Sequence, residues 1–458
     1  MADNFAADKP AGPRRHLGAL HALLLTLGMV ITSDILKTAP TVALNVGQDY
    51  FYGVWVLGGL LSMVGALCYV EMASAFAHPG GDYHFLERAY GQRVGFLFAW
   101  SRFAILHTGW IALMAFLFAD HFSALLGLGQ LGNVLLAGAL VAALVALNLI
   151  GWRVSLGTQA GLVALVATGF LGIVGAGLWL EWRGFVPLPV APVEPEQVGV
   201  AGFSAALIYV FLAFGGWSDA ATLSAELRDN RRGIFTAMLG ALAALLLIYL
   251  ALNWAFIRGL GFDGLAASGA PALELLGLAF GAPGIGLIMA VVVVSAVASI
   301  NSTLIVGSRT TFAAARDVPA LGVLGRWDVR HGVPRAALLA EGVVALLLIA
   351  VGGWSGHGFN TMVEYMTPVY WLFLSLSSVA LIVLRRRHPD VPRSIRVPLY
   401  PWLPLGFLAV CLYMLYSSVA YVGWGALLGV AVLALGAVLQ LILRPRAVPA
   451  EGWTEEGA

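Results

Sequence analysis

Asp34 and Lys37 are charged side chains set in a long apolar run, and Asp34 directly follows two small hydroxyl residues, Thr32 and Ser33. A charge at mid-bilayer depth costs about 2.5–3.5 kcal/mol or more, so each of the two must be compensated. On a continuous helix their i, i+3 spacing would let them pair with one another. Alternatively, Asp34 receives a substrate ammonium or a coupling proton, while Lys37 meets a carboxylate or stands as an internal cation. The residues alone leave these readings open.

The chain around them is expected to depart from regular helix. Between Gly28 and Pro40, Thr32 and Ser33 are poor helix-interior residues and Pro40 disfavours the helical conformation at Ala39. A second interruption, Phe214-Gly-Gly-Trp-Ser-Asp219, carries two adjacent glycines, which are costly inside a helix. Unwound backbone at membrane depth is tolerated only against protein or a water-filled cavity. Two interrupted spans at corresponding positions of two halves point to a substrate site between repeats. Ile31, Thr32, Ser33 and Asp34 at the first break, and Phe214, Gly215, Gly216 and Trp217 at the second, are therefore the substrate-binding candidates.

The 458 residues that hold these breaks are 60% hydrophobic and 11% charged, against about 25% charged in a soluble domain. The apolar residues gather into runs of about 20, each long enough to cross roughly 30 Å of hydrocarbon as a helix. Hydropathy places about twelve spans, near 17–45, 51–77, 94–125, 132–151, 156–181, 201–227, 234–257, 274–313, 335–353, 359–384, 401–421 and 423–443. With the N-terminus inside, Arg14, Arg88, Arg153, Arg232, Arg316, Arg335, Arg385 and Arg446 fall on one face; Arg183 and Arg258 fall on the other. This sorting predicts a multi-pass protein of the cytoplasmic (inner) membrane with both termini in the cytoplasm. Residues 1–15 and 446–458 are expected as tails around one transmembrane domain, 16–445. Breaks in spans one and six imply a five-plus-five inverted repeat, about 16–182 and 200–384, with two extra helices over 401–443. The 55 glycines recur inside spans, as at Gly53, Gly58, Gly65, Gly169, Gly175 and Gly177, the pattern of close helix packing in lipid.

Several motifs fail on context. Gly127-x-Gly129-x-x-Gly132 and Gly259-x-Gly261-x-x-Gly264 follow no strand, so they read as turns between spans, not as nucleotide loops. Asn301-Ser-Thr303 falls inside span eight, out of reach of glycosylation. No His-Glu-x-x-His pair or Cys/His cluster is present, which argues against a metalloenzyme, and no nucleophile–base set suggests an enzyme. The two cysteines, Cys68 and Cys411, lie in spans as apolar filler. A net charge of +1 with arginines along one membrane face argues against nucleic acid as a partner.

Three blocks carry a resemblance: Cys68-Tyr-Val-Glu-Met72 followed by Pro79-Gly-Gly-Asp-Tyr83 and Ala89-Tyr-Gly91; Phe211 to Trp217 followed by Glu226-Leu-Arg-Asp-Asn230; and Leu384 to Pro389 through Arg396-Val-Pro398. Together with Ser308-Arg309 to Arg316, they make the chain similar to the amino acid–polyamine–organocation superfamily, and within it to bacterial relatives of the L-type amino acid transporters. The resemblance covers nearly the whole chain. It implies an all-α fold of the sodium–leucine-transporter type and a substrate α-carboxylate resting on amides of the broken first helix, as expected of a helix N-terminus. Relatives usually carry Gly-Ser-Gly where this sequence reads Thr32-Ser33-Asp34, which places an acid in the docking loop.

By the same resemblance Trp217 caps or gates the site, His107 lies in the site-lining part of span three, and Glu71 belongs to an inner gate or loop clamp. Sodium-independent relatives place a lysine in span five; Gln159 to Thr168 has none. Either Lys37 substitutes for it, or Ser299, Ser302 and Thr303 in span eight offer oxygens to a cation. No cofactor is expected, with a coupling proton preferred over sodium. Arg102, inside span three, should have a carboxylate or carbonyl partner. The expected function is a secondary active transporter, symporter or exchanger, of an amino acid. The alternatives are an amine or polyamine carrier using Asp34, and a transporter-like sensor without flux. Beyond this small-molecule substrate and the lipid bilayer, no partner follows from the sequence.

Overall fold

The computed structural model describes residues 18–31, 35–78, 80–150, 152–194, 199–227, 229–316, 318–328, 330–420 and 424–443. Thr32, Ser33, Asp34 and both predicted tails lie outside the described residues. Among the described residues every long element is a helix, and an isolated β-bridge joins Asp328 and Val333.

Among the described residues, eleven helical stretches are long and apolar enough to cross a membrane. One of them, Ile35–Ala75, runs 41 residues, about 60 Å at 1.5 Å per residue, twice a hydrocarbon core. The chain turns inside it at Gly47, where φ is 70° and ψ 173°, a left-handed φ that favours glycine. Residues 35–46 therefore complete the first span, whose other half is Ala19–Val30, and 48–75 form the second. With this division the expected twelve spans are present, the first of them in two pieces.

The remaining spans are Gln92–Ser123 (three), Gln130–Ile150 (four), Gly161–Trp182 (five), Val200–Ser224 (six), Arg232–Leu260 (seven), Ala282–Arg316 (eight), Arg335–Trp354 (nine), Gly358–Arg387 (ten), Trp402–Ala420 (eleven) and Trp424–Ile442 (twelve). The dinucleotide-like motifs are turns, as expected: Gly127 (φ 64°) ends the helix of span three and Gly261 (φ 75°) that of span seven. Asn301 is buried inside span eight, where its side-chain oxygen accepts from Asn148 at 2.8 Å.

Helices in lipid approach where side chains are small. A Cβ on Gly58 would meet Val210 of span six at 2.3 Å, and one on Gly169 would meet Val291 of span eight at 2.1 Å. The expectation of seams does not extend to Gly53 or Gly175, where a Cβ would meet no packing neighbour within 4 Å among the described residues. Close contact between spans two and six fixes the broken helix: Phe214, at the break, is fully buried and packs edge-on against Tyr249, with Trp55 beside it.

Two departures from α-helical geometry shape the centre. Span six is α-helical over Val200–Ala213, passes Gly216 at φ 88°, and resumes as a tight 3-10 helix over Trp217–Glu226. Span three widens into a π-helical turn over Arg102–His107. The hydroxyl of Tyr365 on span ten donates to the Ala104 carbonyl within that turn at 2.7 Å. A π turn inserts one extra residue per turn and recurs at functional positions; here it carries both Arg102 and His107.

Candidate binding site

A cavity of ≈ 120 Å³ lies between spans three, six, eight and ten. A single water needs about 10–15 Å³ on this measure, so the space accommodates several waters or one small solute. Span six contributes Gly215, Gly216, Ser218 and Asp219; span three contributes Arg102, His107 and Trp110; span eight contributes Ser302 and Thr303; span ten contributes Thr367, Tyr370 and Trp371. The glycine break thus lies in the wall. The Ala213 carbonyl, left at the helix end, accepts from the Tyr249 hydroxyl at 2.8 Å. Trp217 and Ser218 open the 3-10 helix, whose first amides have no preceding turn to bond. Exposed amides at a helix N-terminus favour negative charge.

Of the predicted site residues, His107, Gly215, Gly216, Ser302 and Thr303 line this cavity. Phe214 and Trp217 do not: Phe214 packs as described, and Trp217, 2% exposed, stands edge-on against Tyr69 at 5.1 Å between ring centroids. Ile31 is buried at the end of the first half-helix, its amide bonded to the Leu27 carbonyl at 2.7 Å. The span-eight hydroxyls are engaged: Ser302 and Thr303 each donate to the Ser299 carbonyl at 2.9 Å, and Ser299 Oγ accepts from Trp110 Nε1 at 2.9 Å.

The charges pair across distant helices. Arg102 finds its expected carboxylate in Asp219, which follows the second break, so a cation–anion pair lines the cavity. Lys37 pairs with Asp120 of span three, whose other oxygen accepts from Asn133 at 2.8 Å. Lys37 Nζ also lies 5.0 Å from the centre of the Phe359 ring. Glu71, fully buried, is held by Arg385 (Nε–Oε1 2.6 Å, with Nη2 on Oε2), by the Val397 amide at 2.7 Å and by Arg393 at 3.4 Å. The clamp joins the end of span two to the loop after span ten.

The segment between spans two and three closes against the same centre. Asp82 is buried with one oxygen lacking a partner. Burial pushes its carboxyl up to about 7, with Arg102 opposing and Asp219 reinforcing the rise. His78 and His84 stack at 4.1 Å between ring centroids. Burial holds them down, to about 4 and about 3, and the neighbouring Arg88 adds to both effects.

Sequence reasoning did not single out Glu341, Asp120, Tyr370 or Trp371, and gave Asp219 no partner. An acid inside an apolar span is a signal available from sequence, and it would have found Glu341 and Asp120. The cavity-facing aromatics have no such mark.

A cavity at a helix break inside a bundle of membrane spans, with a charge pair and hydroxyls set in a mainly apolar wall, is the architecture of a solute carrier. The chain belongs to the amino acid permease family, whose profile matches residues 17–439. It is 26% identical to the serine/threonine exchanger SteT of Bacillus subtilis over 89% of this chain and 92% of that one. To the mouse b(0,+)-type amino acid transporter 1 it is 25% identical, covering 90% and 84%. To the mouse large neutral amino acids transporter small subunit 2 it is 28% identical, covering 93% and 82%.

Proposed function

We propose that this chain carries a small neutral amino acid across the cytoplasmic membrane by alternating access, with both termini in the cytoplasm and exchange as its basic cycle. The observation that carries the reading is the cavity at the Gly215-Gly216 break. Freed backbone groups there can hold the charged ends of an amino acid, while its side chain faces Trp371, Tyr370 and Met366. The small volume favours side chains of the size of serine or threonine over bulky ones, and the relative named as a serine/threonine exchanger supports the same choice. The Arg102–Asp219 pair acts as a gate on the arginine-rich side of the cavity, and the Glu71 clamp fixes the loop against which that gate moves. Sodium is left out of the cycle: Ser302 and Thr303 donate back to the Ser299 carbonyl of their own helix, the ordinary arrangement of hydroxyls in a membrane helix. Domain limits follow the spans, with repeats over 16–182 and 200–384.

Counterflow in proteoliposomes preloaded with unlabelled L-serine tests this directly. Labelled L-serine should enter in choline buffer as fast as in sodium buffer, with small neutral amino acids competing and ethanolamine inert. Competition by the amine alone would replace the amino acid reading with the amine carrier, and absence of counterflow for every amino acid would remove both.

A further inference from the structure

His107 lines the cavity and also faces a second ionisable group. Its Nδ1 lies 3.6 Å from Oε1 of Glu341, on span nine. Glu341 is fully buried and His107 nearly so. Neither ring nitrogen and neither carboxyl oxygen has a hydrogen-bond partner among the described residues. Span eight makes the room for them: a Cβ on Gly307 would stand 1.8 Å from Glu341 Oε1 and 2.7 Å from His107 Nδ1. Gly307 directly follows Val306, which lines the cavity, so the two sites share spans three and eight.

An acid and an imidazole placed merely to join helices would close to hydrogen-bond distance, about 2.7–2.9 Å. A permanently charged carboxylate with no donor, in a dry site, is the costliest state available. The inexpensive state is the protonated acid. Side chains that are neutral when dry and ionise when water arrives are the parts of intramembrane proton paths.

The geometry points to a proton-binding site formed by Glu341 and His107, which couples proton movement to movement of the amino acid; it rests on the transport reading above. A proton from cavity water binds one nitrogen of the neutral imidazole, the other nitrogen gives its proton to the Glu341 carboxylate, and the ring is left neutral. Release runs in reverse. Of the charged groups around the pair, Arg102 on span three acts on both, and Asp219 on span six holds Arg102. Span four brings no ionisable residue, Arg309 on span eight is exposed, and span ten brings Tyr365, whose hydroxyl is committed to Ala104. While Asp219 holds Arg102, most of that positive charge is cancelled and Glu341 keeps its proton. When the pair opens, the unscreened cation drives the proton off, so proton occupancy follows the gate.

Two measurements on the purified full chain test this. Infrared difference spectra between wild type and Glu341→Gln should show a carboxylic acid C=O stretch at neutral pH that disappears on alkalisation. A spectrum lacking that band from mildly acid to mildly alkaline pH would mean a permanently ionised Glu341 and would overturn the site without any flux assay. In proteoliposomes, an inside-alkaline gradient should raise wild-type L-serine uptake several-fold over gradient-free exchange, with a trapped pH dye reporting acidification. In Glu341→Gln that ratio should fall to unity. Wild-type exchange that ignores the gradient sinks the proton site and leaves the transport reading standing. An unchanged ratio in Glu341→Gln sinks the assignment to Glu341. If no amino acid exchanges at all, the transport reading fails instead, and the coupling proposed here fails with it. Should Glu341→Gln not fold, His107→Gln replaces it in the ratio measurement, with the same loss expected and the same retained ratio refuting.

Discussion

Replacing Glu71 by glutamine keeps the size of the side chain and removes its charge, which isolates the clamp's electrostatic part. The consequence falls mainly on Arg385. Arg393 retains backbone carbonyl partners at Val391 (3.0 Å), His388 (2.9 Å) and Leu384 (3.2 Å), whereas Arg385 is left with the face of Tyr400, 3.8 Å from the ring centre, and the neutral amide oxygen of the glutamine. Breaking a buried pair by removing one partner costs about 3–5 kcal/mol. The Arg385 side chain is 18% exposed, so water recovers part of its solvation and the loss should sit near the lower figure, about 3 kcal/mol. At about 2.1 cal/mol/K per residue, unfolding 458 residues carries about 1 kcal/mol/K. The expected fall in Tm is thus about 3 °C, read by scanning fluorimetry in detergent on Glu71→Gln, Arg385→Gln and the double variant. Because the two residues share one bond network, the double variant should lose clearly less than the sum of the singles. A Tm for Glu71→Gln indistinguishable from wild type, or strictly additive losses, would show that the clamp contributes nothing and refute the reasoning.

Asp219→Asn should leave Arg102 without its counter-charge beside the cavity and reduce L-serine counterflow more than tenfold, while Asp219→Glu retains measurable exchange; equal rates in wild type and Asp219→Asn would remove the gate. Asp82 is raised from 3.8 to about 7, so its contribution to stability is full below about 3.8 and is lost as pH rises through about 7. Wild type should therefore lose about 2–3 kcal/mol from this group between pH 5 and pH 8, and the Tm of Asp82→Asn relative to wild type should be higher at pH 8 than at pH 5. His78 and His84, held down to about 4 and about 3, act with the opposite sign: their contribution is present above about 6.5 and is lost as pH falls through those values. Replacing both by asparagine should flatten the acid side of the Tm profile, and an unaltered profile would count against their burial. Gly307→Ala forces a Cβ against Glu341 and His107 and should cost about 1–3 kcal/mol, seen as a lower Tm; a neutral result would place the acid elsewhere.

Hydropathy and arginine sorting made the number of spans and their order legible, because lipid leaves the backbone no alternative to helix. The break in span six was equally plain, since Gly215-Gly216 is a local signal. Partner choice was not. Arg102 and Asp219 are 117 positions apart, and Lys37 and Asp120 are 83 apart. Burial cost requires such charges to pair, but only the packing of helices decides with which. Lys37 illustrates the gap: its spacing to Asp34 offered a local partner, whereas the described partner lies on span three. The π-helical turn at Arg102–His107 was also invisible, because its stabilising contact comes from Tyr365 on another span. The family resemblance placed Trp217 at the site as a cap or gate, yet the tight 3-10 turn sets it against Tyr69. Ser218 and Asp219 face the cavity instead.

Whether an amino acid occupies the cavity at the span-six break can be measured by thiol protection. Both native cysteines are fully buried, so Thr303→Cys would place one reactive thiol on the cavity wall against a low background. Saturating L-serine should slow its modification by a small hydrophilic thiol reagent, and ethanolamine should leave the rate unchanged. Modification that proceeds at one rate whatever amino acid is added would mean that cargo does not bind there.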